Sequence, residues 1–158
     1  MSMLTTPQWR NDDELFKLCR EGLFSAVIGD VMDLVGRTHQ FLSPRIQPLR
    51  DDMILVGRAM PVLEADDHGG EGPGRVNNLF NGPFGLMLRA LDDLQRNEIY
   101  ICTGASPDYA LWGELMSTCA QNRGAAGAIV DGYSRDTRGI LQIGFPVFSY
   151  GRFAQDQR

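Results

Sequence analysis

The sequence predicts an α/β fold with at least some parallel strand pairing. Strand-like and helix-like segments alternate through the second half of the chain, which is typical of strand–helix–strand units. The chain has 158 residues, of which 43% are hydrophobic and 22% charged, so it can bury a real core. We find no internal repeat, low-complexity tract or linker, and we expect residues 1–158 to form one domain.

Four segments are predicted before residue 64. In chain order they are a helix over residues 12–20, a helix over residues 26–34, a loop or extended stretch over residues 38–52, and a long strand or strand pair over residues 53–63. Leu15, Phe16 and Cys19 have the spacing of one helix face. Ser25 is expected to cap the second helix, which Gly36 then ends.

The second half alternates between helices and strands. In chain order the predicted elements are a helix over residues 84–94, a strand over 98–103, a turn over 104–108, a helix over 111–122, a strand over 125–130, a turn at 131–132 and a strand over 145–149. The short segment over residues 137–142 is left unassigned, and residues 152–158 are expected to be irregular. Gly124 stands where a helix C-terminus favours a left-handed residue. The run 125–130 is small and apolar, and it is too short for an independent helix.

Composition excludes several classes of function. The formal net charge of −5 and the lack of a basic cluster disfavour nucleic-acid binding through phosphate contacts. No apolar run approaches the roughly 20 residues needed to cross a bilayer, and residues 1–11 lack the features of a secretory signal. The three cysteines show no CxxC spacing, and we expect them to pack as small hydrophobes in a reducing cytoplasm.

Lys17 is the only lysine in the chain. An enzyme that works through a lysine Schiff base would have to use it. It lies in the predicted helix over residues 12–20, where we interpret it as a solvated surface charge. Covalent imine chemistry is therefore not expected.

Arg135 and Asp136 follow a predicted strand and the turn dipeptide Asp131-Gly132 at its end. An arginine can grip a carboxylate with two parallel hydrogen bonds, and an aspartate can hold a hard divalent cation through oxygen. Together they suit a small keto acid that chelates a metal ion. Adjacent opposite charges at a turn are usually just solvated, so the pair alone is a weak signal.

A second candidate segment begins the helix that precedes this strand. Its residues are Gly113, Glu114, Leu115 and Met116. Backbone N–H groups at a helix N-terminus form an anion site, and a glycine there lets a ligand approach the backbone closely. In a parallel strand–helix–strand unit both strands end on the same side of the sheet, so this segment and Arg135 are expected to meet there.

Residues 64–81 form the least regular region, with four glycines close to His68 and its acidic neighbours. Two interpretations stay open, a metal site around His68 and a mobile cover over the active site. A metal site needs ligands in a fixed geometry, so the mobile cover is favoured. A phosphate-binding loop is rejected because no Lys-Ser/Thr pair follows the glycines.

A set of motifs between residues 23 and 151 resembles the RraA-like family. The matching segments are residues 57–59, 112–115, 120–127 and 130–132, the pair Arg135 and Asp136, and residues 144–148. The family includes the regulator of ribonuclease activity A and the metal-dependent 4-hydroxy-4-methyl-2-oxoglutarate / 4-carboxy-4-hydroxy-2-oxoadipate aldolases. The spacing from Gly113 to Arg135 also resembles the family's spacing between its substrate-binding backbone loop and its arginine.

The resemblance implies a layered β/β/α swivelling-domain fold, assembled as a homotrimer or homohexamer with sites between subunits. It implies that Arg135 binds the pyruvyl carboxylate, that Asp136 holds Mg²⁺ or Mn²⁺, and that the backbone of residues 113–116 binds the keto-acid end of a small 2-oxo acid. Glu114 matches an acidic position that orders metal-bound water near the reacting carbon. Longer aldolases continue beyond the predicted strand over residues 145–149, so two interpretations stay open, a domain truncated at its C-terminus and a short branch of the family.

The implied activity is that of a metal-dependent, class II aldolase. Such an enzyme cleaves a 4-hydroxy-2-oxo acid to pyruvate plus a second carbonyl compound and decarboxylates oxaloacetate as a side reaction. The ribonuclease-regulator branch lacks the intact Arg-Asp pair that this chain retains, which favours catalysis. Two alternatives stay open: a non-catalytic, protein-binding regulator of the ribonuclease-inhibitor type, and a metal-dependent lyase acting on another hydroxy or sugar acid.

Overall fold

The computed structural model of the protein describes residues 8–66 and 86–156. The chain forms two compact units, Met1–Ser43 and Pro44–Arg158. From position 67 onward, the irregular stretch expected over residues 64–81 lies outside the described residues. His68 and the glycines of the proposed cover belong to this part. That cover, like the single domain expected over residues 1–158, stays a prediction.

The first unit contains the helices α1 (Asp12–Gly22) and α2 (Ser25–Leu34). The side chain of Asn11 caps α1 by accepting a hydrogen bond from the backbone N–H of Glu14 at 3.0 Å. Three acidic residues in the first turn of α1 complement the positive end of its dipole. The helix predicted over residues 12–20 is thus confirmed and runs two residues further.

The start of α2 corrects one expectation. Ser25 is the first helical residue and not the N-cap, which is Phe24 and makes no side-chain capping bond. The carbonyl of Phe24 already accepts a hydrogen bond from the N–H of Ile28, so the helix begins one residue earlier than predicted. Gly36 follows with a φ of 78° and ends the helix as expected.

The second unit contains two sheets and three helices among its described residues. In chain order its elements are β1 (Gln47–Pro48), β2 (Arg58–Leu63), α3 (Leu86–Asp93), β3 (Glu98–Thr103), β4 (Ala110–Trp112), α4 (Glu114–Asn122), β5 (Gly127–Val130), β6 (Tyr133–Ser134), α5 (Thr137–Ile143) and β7 (Val147–Ser149). The larger sheet has the order β1-β7-β5-β3-β2, in which only β1 pairs antiparallel. The strands β4 and β6 form a separate parallel pair. The predicted α/β class with parallel pairing is confirmed.

Several boundaries differ from the sequence-based prediction. The helix predicted over residues 111–122 begins only at Glu114, because Leu111 and Trp112 are buried in β4. The long strand expected from residue 53 begins at Arg58, and the one expected from residue 145 begins at Val147. The unassigned residues 137–142 form most of α5.

The tail after β7 has more order than its polar sequence indicates. The Ser134 N–H donates to the Gly151 carbonyl at 3.0 Å, and the Phe153 N–H donates to the Ser134 carbonyl at 2.9 Å. The Ala110 N–H donates to the Gln155 carbonyl at 2.8 Å. Backbone pairing with β4 and β6 therefore places residues 151–156 beside the smaller sheet, where irregular structure was expected.

The core of the second unit is centred on Trp112. Its ring lies 4.9 Å from the ring of Tyr100 and 6.3 Å from that of Phe145, centroid to centroid. The indole N–H donates to the Ser117 hydroxyl at 2.7 Å, and that hydroxyl donates to the Gly113 carbonyl at 3.0 Å. These bonds satisfy the buried polar groups and join the end of β4 to the first turn of α4.

The predicted turn at Asp131 joins the carboxyl ends of three parallel strands. Its carboxylate accepts hydrogen bonds from the Thr103 hydroxyl at 2.7 Å and from the Tyr150 hydroxyl at 2.5 Å. These two bonds stabilise the ionised form and lower the pKa of Asp131. The strand ends after β3, β5 and β7 are therefore held together at one edge of the sheet.

The three cysteines are free, as expected for a chain without disulfides. Cys102 is fully buried in the core, and burial raises the pKa of its thiol. Cys119 packs against the same core. No helix within residues 8–66 and 86–156 is long and apolar enough to cross a membrane.

Glu64, just after β2, is expected to make stability depend on pH. One of its carboxylate oxygens accepts a bond from the Tyr100 hydroxyl at 3.3 Å, and the other is buried without a partner among the described residues. Burial raises the pKa of Glu64 above its ordinary value of 4.5. The folded state thus retains a proton that the unfolded chain has released, so this contribution to stability is present below about pH 4.5 and is lost as the pH rises through the raised pKa.

Glu64→Gln, which is neutral at every pH, should therefore raise the midpoint of thermal unfolding at pH 8 and change it little at pH 4. Thermal denaturation followed by circular dichroism at both pH values measures this difference. Glu21→Gln on α1, whose carboxylate is 63% exposed, is the control and should show no such pH-dependent gain. An equal effect of Glu64→Gln at the two pH values would contradict the assignment of a raised pKa.

Candidate active site

The pairing of β4 with β6 brings the two candidate segments together. Trp112 pairs with Ser134, and the N–H of Arg135 donates to the Trp112 carbonyl at 2.9 Å. Gly113 therefore lies directly opposite the Arg135–Asp136 pair. The sequence placed this meeting at the edge of the main sheet, whereas the structure forms it through the smaller sheet.

Position 113 needs a glycine because the side chains of Arg135 and Asp136 lie close to its backbone, and not because of its backbone angles. It is buried, and its φ of −146° is extended backbone that any residue adopts. A Cβ atom at this position would lie 2.8 Å from an Asp136 carboxylate oxygen and 3.4 Å from Cγ of Arg135. The missing side chain thus makes room for the Arg135–Asp136 pair.

The first turn of α4 presents backbone donors to this space. The N–H of Glu114 approaches the Asp136 carboxylate at 3.4 Å, which is a long hydrogen bond. The N–H groups of Leu115 and Met116 have no acceptor within the part of the chain that the structure describes. The side chain of Leu115 is exposed and that of Met116 packs on the core, so these two residues face the site through their backbone. The arrangement forms the positive end of a nine-residue helix.

Asp136 has the left-handed backbone conformation, with φ 55° and ψ 31°. Residues other than glycine adopt it uncommonly, although aspartate and asparagine do so more readily than most, and such residues are concentrated at functional sites. Asp136 is the N-cap of α5, yet its side chain makes no capping bond and turns toward the start of α4. The conformation therefore places a carboxylate at the mouth of the site that helix capping does not use.

Arg135 is held by two carboxylates. Its Nε atom lies 3.5 Å from Asp136 and its terminal NH1 atom lies 3.1 Å from Asp156, with 35% of the side chain exposed. Asp156 comes from the tail, which carries no periodic pattern, so sequence reasoning did not identify it. The two carboxylates fix the orientation of the guanidinium, which remains accessible to solvent.

An open cavity of about 410 Å³ adjoins the pair. Its lining residues are Arg135, Asp136, Thr137, Arg152, Phe153 and Ala154. The three tail residues of this wall were missed because the segment reads as a polar C-terminus with no structural signal. Arg152 adds a second cationic side chain to the cavity.

The cavity wall offers a divalent cation one carboxylate, that of Asp136, which lies beside two arginines. No group of three or more His, Cys, Asp or Glu side chains suited to a metal occurs in residues 8–66 and 86–156. Mg²⁺ does not require such a cage, since it keeps several waters and is held through one or two carboxylates together with its substrate. Asp136 supplies one exposed carboxylate of the type that such a cation uses.

Comparison with known proteins points to one family. The family model RraA-like, described as Aldolase/RraA, matches residues 25–158. A search of curated proteins finds no match.

Three solved structures share the fold over nearly the whole chain. A chain from novel cellulases of microbes associated with the gut ecosystem is 27% identical with a TM-score of 0.76, covering 96% of this chain and 64% of that one. An uncharacterized protein from Pseudomonas syringae is 22% identical with a TM-score of 0.68, covering 98% and 64%. Streptomyces coelicolor RraAS2, an unusual member of the RNase ES inhibitor RraA family, is 18% identical with a TM-score of 0.74, covering 93% and 68%. The chain thus spans 64% of the length of the first two structures.

Proposed function

Because the chain belongs to the RraA-like family, we propose that it is a divalent-metal-dependent lyase that cleaves a 4-hydroxy-2-oxo acid to pyruvate and a second carbonyl compound. The family includes aldolases and ribonuclease inhibitors, so family membership alone does not select between them. The observation that carries the proposal is the Arg135–Asp136 pair packed against Gly113 at an open cavity. Family members are commonly oligomeric, and we propose a trimer or a pair of trimers.

Binding of the substrate is assigned to Arg135 and the first turn of α4. The guanidinium fork can hold the 1-carboxylate with two hydrogen bonds. The backbone N–H groups of Leu115 and Met116, which have no acceptor among the described residues, offer further donors to the same anionic end. Asp156 and Asp136 hold the guanidinium before substrate arrives, which reduces the ordering needed on binding.

The chemistry then needs a cation and a base. Asp136 would hold Mg²⁺ or Mn²⁺, which when bound acts as a Lewis acid on the 2-oxo oxygen. Arg135 neutralises the carboxylate beside the carbon atoms that gain electron density when the C3–C4 bond breaks. The Glu114 carboxylate accepts the 4-hydroxyl proton through a water molecule as the C3–C4 bond breaks, and the electron pair of that bond passes to the pyruvyl fragment, which becomes an enolate. Return of the proton through the same water to C3 gives pyruvate.

Metal removal tests the proposal. EDTA should abolish pyruvate release from oxaloacetate, and Mg²⁺ or Mn²⁺ should restore it, as a coupled lactate dehydrogenase assay measures. Borohydride should trap no pyruvate, because the single lysine, Lys17, has a side chain 70% exposed on α1 and pairs there with Glu21. Full activity in EDTA would contradict the metal mechanism. A folded protein that binds no divalent cation and releases no pyruvate would favour the protein-binding regulator instead.

A further inference from the structure

Glu114 lies directly over a glycine of the neighbouring helix. A Cβ atom built on Gly139 of α5 would lie 1.9 Å from a carboxylate oxygen of Glu114, 2.1 Å from its Cδ and 2.7 Å from its Cγ. These three atoms are the nearest that a side chain at Gly139 would meet. The glutamate side chain therefore occupies the volume that any other residue at position 139 would fill.

Backbone conformation does not explain this glycine. Gly139 lies inside α5, outside the left-handed region, where alanine would be the better helix former. A glycine in the interior of a short helix weakens it, so its presence has to be offset by something that the missing side chain allows. At Gly139 the missing side chain leaves the space that Glu114 occupies.

The contact connects the two segments that form the candidate site. The backbone of Glu114 faces the Asp136 carboxylate, and its side chain covers Gly139 three residues further along the same chain segment. The carboxylate of Glu114 is thus placed on the first turn of α5, immediately after the proposed metal-holding residue. An exposed glutamate without such a surface would be distributed among many rotamers.

We infer that Gly139 is a positioning residue, whose bare backbone holds the Glu114 carboxylate in place to accept the 4-hydroxyl proton of the substrate through water. The inference rests on the proposed lyase function. Accurate placement of a base on a rigid element raises the rate of the step that needs that base, and it leaves other steps unchanged. Aldol cleavage needs removal of the 4-hydroxyl proton, whereas decarboxylation of oxaloacetate breaks a carbon–carbon bond without removing one.

Gly139→Ala should therefore separate the two activities. We expect kcat for cleavage of 4-hydroxy-2-oxo acids, with 4-hydroxy-4-methyl-2-oxoglutarate as the first of a panel, to fall at least about tenfold. The kcat for oxaloacetate decarboxylation and KM for oxaloacetate should change less than about twofold. Thermal stability should change little, because the three atoms nearest to the new methyl group all belong to the exposed side chain of Glu114 and alanine favours the helix.

A double variant distinguishes positioning from a general disturbance of α5. Glu114→Asp is shorter by one methylene, so it should lower aldol cleavage in the wild-type background and partly restore it in the Gly139→Ala background. A crystal structure of Gly139→Ala should show the Glu114 carboxylate displaced from α5. Gly22→Ala is the matched control, since a Cβ there would meet nothing within 4 Å.

The outcomes separate the inference from the function on which it rests. A wild-type protein that releases no pyruvate from oxaloacetate or from any 4-hydroxy-2-oxo acid overturns the proposed function. A wild-type protein that is active while Gly139→Ala cleaves the hydroxy acids equally well overturns the positioning role alone. Equal loss of both activities, or a Glu114 carboxylate that stays in place in the variant, overturns it as well.

Discussion

Asp136→Asn is expected to abolish metal-dependent pyruvate release while the fold is retained. Asparagine keeps the shape of the side chain and, like aspartate, tolerates the left-handed φ of 55°. The change removes one negative charge at the open cavity. Unit charges about 4 Å apart near a protein surface interact by about 4 kcal/mol, so the affinity for Mn²⁺ should fall at least about a hundredfold. Calorimetric titration with Mn²⁺ measures this directly, and oxaloacetate turnover over a metal series measures its consequence.

Asp93→Asn provides the matched control for this variant. Asp93 is exposed at the end of α3, so the same change in charge there should leave Mn²⁺ binding unaltered. Alanine at position 136 would be a poorer test, because it combines loss of the ligand with strain at a left-handed position. Wild-type affinity for Mn²⁺ in Asp136→Asn would show that another group holds the metal ion.

Arg135→Lys is expected to lower kcat/KM for oxaloacetate at least about tenfold, which corresponds to about 1.4 kcal/mol of lost transition-state binding. The charge is kept and the planar fork is lost. In the structure the guanidinium faces Asp136 through Nε and Asp156 through NH1. A single ammonium group cannot keep both contacts and also hold a carboxylate with two parallel bonds, so a raised KM and weaker inhibition by pyruvate should accompany the loss.

Arg138→Lys is the control for this second variant. Arg138 lies on α5 three residues further on, is exposed, and is not part of the cavity wall. Its replacement should leave kcat/KM within about twofold. If Arg135→Lys behaves as Arg138→Lys does, the carboxylate of the substrate is bound elsewhere, and Arg152, the other arginine that lines the cavity, becomes the residue to test.

Elements with a strong local pattern could be predicted from the sequence. The strand β3 has the predicted bounds, Glu98–Thr103. A short apolar run between turn residues can be recognised from the local sequence alone. Gly36 and Gly124 were assigned as helix ends, and both have a φ of 78°. The meeting of Gly113 with the Arg135–Asp136 pair could be anticipated in part, since consecutive parallel strands end on one side of a sheet, but its formation through the smaller sheet could not.

Short strands were not predictable in the same way. The strand β4 has three residues and β6 has two, too few to show a period, and both exist because their backbones pair with each other and with the tail. Leu111 and Trp112 were therefore assigned to the following helix, whose apolar pattern they continue. The tail residues Arg152 and Asp156 were assigned no structure for the same reason.

The sequence by itself determined the α/β class, the family and the candidate residues, because each depends on residue types at short or regular spacing. Only the tertiary structure decided how those residues face one another. The contact of Asp156 with Arg135 and that of the Glu114 carboxylate with Gly139 join segments more than 20 residues apart in the sequence. They form when β4 pairs with β6 and the tail pairs with both strands. Such contacts have no local signature, since their geometry is set by backbone hydrogen bonds between distant strands and not by the propensity of either segment.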